Sequence, residues 1–210
     1  RGQTVNLLAS PSKVQILLSP PYNEGLSDNG KTFFLYIVWV IVKCTSGFEE
    51  YGLSECFYEN GLRFDCTRCS RCCRYDPGYV FLSYNDLERL LSSTGLEKGY
   101  FLRRYCRAVY LNGGYRLSLK EKKNYDCIFW EEGGCEVYTE RPLQCRSFPF
   151  WPDNLTSRER WDGVGQSCPG INRGSLHNAE EIRSWLRRRE EEPIVILQPG
   201  DLSIMEKEPV

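Results

Sequence analysis

The chain has one methionine, Met205, and one histidine, His177, in 210 residues. A single histidine excludes a histidine-rich metal site and leaves a cysteine–histidine nucleophile pair with only His177 to draw on. His177 lies just ahead of a predicted helix, where a structural role suffices. With Met205 so late, no initiator precedes the cysteines; the chain reads as a fragment, or as translated from beyond the true start. An excess of one charge is also missing, because 27 Lys+Arg stand against 28 Asp+Glu. That balance gives no basis for nucleic acid or an anionic membrane as partner. The strongest apolar run, Phe33 to Val42, has ten residues, short of the ~20 that span a bilayer. No internal repeat occurs, and no carboxylate pair stands out as acid and base.

What the chain does have is cysteine, eleven in all. Eight form one pattern: Cys66-x-x-Cys69-x-x-Cys72-Cys73, then Cys127, Cys135, Cys145 and Cys168. Four thiols within eight residues can converge on a small soft cation with little reorganisation of the chain. Eight suffice for two four-thiolate sites, or for one iron–sulfur cluster plus one zinc. A disulfide framework is the competing reading. Such frameworks belong mostly to short secreted chains, and adjacent cysteines seldom bridge each other without strain. An odd count would also leave one thiol over. The spacing therefore favours metal, in a reducing cytoplasm. Aromatics reach 13% of the chain, enough to pack around a metal shell and exclude water.

Three regions are expected. Residues 1–54 are an N-terminal segment of doubtful status, a disordered or spurious extension. Its first 32 residues are rich in Pro, Ser, Asn and Gly, and Phe33–Val42 is either β-rich or the core of a signal, against which Lys43 argues. A formal phosphate-loop match runs from Gly25 to Gly30-Lys31-Thr32. Pro20-Pro21 interrupts the strand that should lead in, and no helix follows, so nucleotide binding is not expected. Residues 55–192 form the cysteine-bearing domain and 193–210 a tail with one apolar burst, Ile194–Leu197.

Within the domain, Tyr79–Leu82 reads as a strand. Ser83 then caps a helix with Asp86 in the box position and Tyr84, Leu87, Leu90 and Leu91 inward, and Gly95 stops it. A second helix is expected near 96–106, with Cys106 a core residue. Asn112-Gly113-Gly114 turns a hairpin between Ala108–Leu111 and Tyr115–Leu119. A further strand pair is expected with Cys127 and Cys135 at the strand starts. Asn178 and Glu181 cap a last helix carrying Ile182, Trp185 and Leu186 inward. The fold class is α+β, a small metal-stapled domain of short helices and short antiparallel strands and hairpins.

The ordered set Cys66-x2-Cys69-x2-Cys72-Cys73, Cys127-Ile-Phe-Trp, Cys135-Glu-Val-Tyr138, Arg141-Pro142-x-x-Cys145-Arg146-x-Phe148-Pro149-Phe150 and Cys168-Pro169-Gly170 resembles the YkgJ-type cysteine-cluster family, a zinc- or iron-chelating domain. The resemblance covers about residues 57–172 and leaves out Cys44, Cys56 and Cys106. It implies a small cytoplasmic protein holding zinc or an iron–sulfur cluster, the [4Fe–4S] type included. By analogy with flagellin lysine N-methylases, which carry a similar domain, it implies as an alternative an iron–sulfur redox enzyme or an accessory domain of protein lysine methylation.

Cys66, Cys69 and Cys72 with the remote Cys168-Pro169 echo ferredoxin spacing. That partition leaves Cys73, Cys127, Cys135 and Cys145 as a second site. Arg68, Arg71 and Arg74 interleave the cluster, either as ordinary surface residues or to offset thiolate charge. Arg141 and Arg146 bracket Cys145 and are expected to donate to sulfur around it. Metal ions are the expected partners, with no nucleic acid and no membrane, and a protein partner is left unspecified.

Overall fold

The computed structural model of the protein describes residues 56–111 and 113–206. Phe33–Val42, the phosphate-loop match, Cys44 and Asn112 lie outside the described residues. In chain order the elements are β1 (Leu62–Phe64), α1 (Tyr84–Thr94), α2 (Lys98–Tyr105), β2 (Cys106–Leu111), β3 (Gly114–Leu119), β4 (Trp130–Glu131), β5 (Gly134–Cys135), α3 (Leu143–Arg146), α4 (Arg158–Val164), β6 (Ile171–His177), α5 (Ala179–Glu191) and α6 (Pro199–Glu206). Short helices alternate with antiparallel pairs, a mixed α+β chain. It divides into two compact units. Of the described residues, the first holds Arg68–Phe148 and 189–206, and the second holds 56–67 and Pro149–Arg188.

The first unit is built on the β2–β3 hairpin, paired from Cys106↔Leu119 to Leu111↔Gly114. Alternation along the strands puts Cys106, Leu117 and Leu119 into the core. Two extended segments join β3 on its far side. Val80–Leu82 exchanges Leu82 N–H to Leu117 O (3.1 Å) and Leu119 N–H to Val80 O (2.9 Å). The apolar burst of the tail follows, with Leu117 N–H to Val195 O (3.2 Å) and Leu197 N–H to Tyr115 O (2.9 Å). Val195 and Leu197 are accordingly buried while Ile194 and Ile196 stay exposed. The tail then forms α6, whose Leu202, Ile204 and Met205 pack on the core. This helix was not expected from the sequence. Its periodicity is weak and its docking on α2 and β2 is what holds it.

Helix α1 starts as its sequence dictates. Ser83 Oγ accepts from Asp86 N (3.1 Å), Ser83 N–H donates back to Asp86 Oδ2 (3.0 Å), and Gly95 at φ 67° ends it. Tyr84, expected inward, is 57% exposed, whereas Asp86 is 1% exposed. The carboxylate takes the inward place because it also accepts from Leu143 N (2.8 Å), the first N–H of α3. Glu97 caps α2 by accepting from Gly99 N and Tyr100 N, both at 2.8 Å. Phe101, Tyr105 and Phe129 stack, with Tyr105 and Phe129 centroids 4.9 Å apart.

The second unit pairs β1 with β6, Leu62 opposite His177 and Phe64 opposite Ile171, with a bulge between Arg63 and Phe64. Its core is aromatic: Phe150 stacks on Trp161 at 5.8 Å and meets Phe64 at 6.1 Å and His177 at 5.0 Å. Asn178 and Glu181 cap α5 reciprocally, both bonds at 2.9 Å. Ile182 and Leu186 are buried as expected, Trp185 only half so. α5 is not the last helix, since α6 follows.

Candidate metal centre

The run from Cys66 to Cys73 is a loop ending in one 3-10 turn, Arg71–Cys73. Arg68 and Ser70 hold φ of 54° and 58°, left-handed values that side chains other than glycine adopt at a cost. Cys66 and Cys69 are exposed, while Cys72 and Cys73 are half-buried. The Cys72 and Cys73 sulfurs touch, Sγ to Sγ 3.6 Å. Cys127 is tied to this turn through its backbone, its N–H donating to Cys73 O at 2.7 Å.

Cys127 and Cys135 do not start strands. Gly133 and Gly134, at φ 106° and 137°, take up the turn and leave two paired residues on each side. Cys127 thus precedes β4, bridged to Glu121, and Cys135 closes β5 opposite Trp130. Cys145 sits in α3, whose start is set by Pro142, with Cys145 N–H donating to Pro142 O at 2.9 Å. Cys127, Cys135 and Cys145 all pack against the same apolar cluster.

The electrostatics of the first unit's thiols are those of a crowded, drying site. The hydrogen bond with Cys72 raises the Cys73 thiol far above its ordinary value, and burial and the neighbouring Cys72, Cys145 and Cys127 push the same way. Burial first, then Cys127, Cys72 and Cys135, raises Cys145, with Arg141 opposing. Cys135 is raised by burial, again against Arg141. Cys106 differs: burial pushes it up to about 12 with no other thiol involved. It is a core residue, as expected.

Arginines and rings surround the cluster. Arg141 donates from Nε to Tyr138 O (2.8 Å) and stacks on the Tyr138 ring at 3.7 Å, with Arg68 4.6 Å from the same centroid. Arg146 donates to Arg141 O (2.9 Å) and turns its Nη2 toward buried Asp86, 3.9 Å away. The charge of Arg141 acts on Cys135 and Cys145, opposing the rise that burial causes there. Arg74 lies 3.6 Å over the Trp130 ring and donates to Asp126 Oδ1 at 3.2 Å. Burial alone would raise Asp126, but the hydrogen bonds from Arg74 and Asn124 hold it below the ordinary carboxylate range. The sequence gives Tyr138 no role beyond its place in the Cys135 motif, and Asp126, just ahead of Cys127, carries no sequence signal of its own.

Cys66 and Cys168 belong to the second unit. Their segments meet at Gly170, where an added Cβ would lie 2.0 Å from Asp65 O, so only glycine fits that contact. His177 spends Nε2 on Phe64 O (2.9 Å) and has Nδ1 3.8 Å from Glu181. Cys56 is disulfide-bonded and offers no thiol.

Among the described residues, no three Cys, His, Asp or Glu side chains stand at metal-ligand spacing as they are. The donor chemistry nevertheless fits a thiophilic metal. Tetrahedral four-sulfur zinc with bonds near 2.3 Å has sulfur–sulfur edges of about 3.8 Å, and Cys72 and Cys73 stand at 3.6 Å. The buried Trp130 Nε1–H, beside this turn, has no acceptor among the described residues, and a thiolate sulfur is one it could use.

A family model described as "CxxCxxCC: Putative zinc- or iron-chelating domain" matches residues 65–169, half of the chain. The chain belongs to this cysteine-cluster family. No solved structure matches it. Among the described residues, no helix is long and apolar enough to cross a membrane.

Proposed function

We propose that the protein chelates zinc or iron through the thiolates of Cys66, Cys69, Cys72, Cys73, Cys127, Cys135, Cys145 and Cys168. The observation that carries this reading is the convergence of the first unit's thiols: Cys127, Cys135 and Cys145 pack against one apolar cluster, the Cys72 and Cys73 sulfurs are in contact, and Cys127 N–H bonds to Cys73 O. Neutral thiols gain little from such crowding. A cation that replaces their protons turns mutual repulsion into coordination and couples metal binding to folding. Arg141 offsets the charge of the bound thiolates, and Arg146 holds Arg141 by its carbonyl. The metal arrives either as zinc or as an iron–sulfur cluster, and it organises the loops around it.

Metal and acid-labile sulfide analysis of the full chain, purified without air, tests the reading. Bound zinc, or iron with sulfide, in stoichiometric amount is the expected result. A folded, fully reduced chain that carries no metal and takes up none would overturn it.

A further inference from the structure

Metal binding leaves one arginine of the Cys66–Cys73 run without a task. Arg68 is exposed, and its guanidinium lies 4.6 Å from the centroid of the Tyr138 ring. Arg141 lies 3.7 Å from the same centroid. The two cations are therefore no farther apart than those two distances laid end to end. We propose that Arg68 and Arg141, mounted on Tyr138, form a binding site for a phosphoryl group, presented as free phosphate or on a phosphorylated protein segment.

Three observations support it. Other guanidinium groups of the first unit have carboxylate partners: Arg74 has Asp126, Arg89 has Asp86 and Arg107 has Glu121. Among the described residues, no carboxylate lies within ion-pair distance of Arg68 or Arg141, although Glu136 and Glu140 are close along the chain. Two like charges thus share one ring without an anion. The arrangement is also built. Arg141 Nε donates to Tyr138 O at 2.8 Å, and Arg146 Nε donates to Arg141 O at 2.9 Å. Arg68 holds its place at φ 54°, a left-handed value that persists where the surroundings fix it and that recurs at ligand clamps. Finally, the Nη groups of both arginines have no acceptor among the described residues and remain available as donors.

Charge and acceptor number select phosphoryl over carboxylate. A carboxylate, with one charge and two oxygens, is satisfied by a single guanidinium fork. A phosphomonoester carries about −1.5 to −2 near neutral pH and offers three acceptor oxygens, enough for both. The Tyr138 ring attracts both cations and holds them together before the anion arrives, which lowers the cost of binding. No thiol takes part, so the proposal does not rest on the metal-binding reading.

The test titrates inorganic phosphate and, separately, a short phosphoserine peptide into the full chain as isolated. Binding is read by calorimetry, with metal content measured alongside and the unphosphorylated peptide as blank. Saturable binding of at least one probe is expected, and the tighter probe identifies the source of the phosphoryl group. R68Q is expected to bind at least about tenfold more weakly with metal content unchanged. R141Q should weaken binding likewise, and R104Q, at an exposed arginine of α2, should leave it unchanged. The proposal falls if neither probe saturates, if R68Q binds as the unsubstituted chain does, or if R104Q weakens binding equally. It falls also if the blank binds as tightly as the phosphopeptide while inorganic phosphate does not bind. Loss of metal together with phosphate in R68Q would show that its charge serves the thiolates, and overturns the site. Should R141Q fail to fold, R68Q decides. A chain without metal that binds phosphate through Arg68 would leave this proposal standing while the metal-binding reading falls.

Discussion

Two regions of the first unit are held by different physics. The β2–β3 hairpin, with α1, α2 and the Val195–Leu197 segment, has a full antiparallel register, two helices with satisfied first turns, and a core of Leu82, Leu90, Phe101, Leu102 and Leu117 at 0–1% exposure, joined by Val195 and Leu197. The thiol-bearing segments have a single 3-10 turn, strands of two residues, the four-residue α3, and left-handed φ at Arg68, Ser70, Tyr75 and Tyr125. Guanidinium–ring stacks at Tyr138 and Trp130 supply contacts where apolar burial is scarce. The first region is ordered chiefly by burial and backbone hydrogen bonding. The second has thiols where a core would be, and under the proposed function a metal bound by them would supply the stability that burial gives the first.

The largest test of this contrast is metal removal. Chelation under reducing conditions is expected to strip hydrogen-exchange protection from residues around Cys72, Cys127 and Cys145 while the β2–β3 amides stay protected. Equal loss in both regions would erase the distinction. Single-ligand variants come next: C145S and C69S are expected to lower metal content and the melting temperature of the loaded protein. Full metal with unchanged melting in both would break the ligand assignment.

Leu117→Ala should act in the opposite sense, costing about 2–5 kcal/mol through the cavity it leaves while metal content holds. Smaller still, Ser83→Ala should cost about 1 kcal/mol by removing the α1 cap, read by chemical denaturation with metal unchanged.

A last effect is silent at neutral pH and is read only on the alkaline side. Cys106 has its thiol pushed up from 9.0 to about 12 by burial. A folded value above the unfolded one means the protonated form is favoured in the native state. Its contribution is present in full below about pH 9 and is lost as pH rises toward about 12. A C106A variant should show a flatter alkaline limb in the stability profile, and an unchanged limb would place Cys106 outside the core.

Local chemistry was legible in the sequence. Ser83 with Asp86, Asn178 with Glu181, the Gly113-Gly114 turn and the burial of Cys106 all depend on neighbours within a few residues. What was not legible joins distant parts of the chain. Leu62 pairs with His177, Val195 inserts beside Leu117, and Asp86 turns inward because Leu143 N–H needs an acceptor. Each depends on three-dimensional neighbours that no periodicity reveals. The same limit applied to the site. The cysteine motifs marked where thiols are, but spacing along the chain does not encode which of them fold together. The contact of Cys72 with Cys73, and the role of Tyr138 as a ring shared by Arg68 and Arg141, follow only from the fold.

The most direct test of metal chelation is to weigh the intact, air-free chain by native mass spectrometry before and after chelator. The account predicts a native mass above that of the polypeptide by one or more zinc ions or an iron–sulfur cluster, lost on chelation together with order around Cys72 and Cys145. A native mass equal to the bare polypeptide, with those segments ordered and indifferent to chelator, would contradict it.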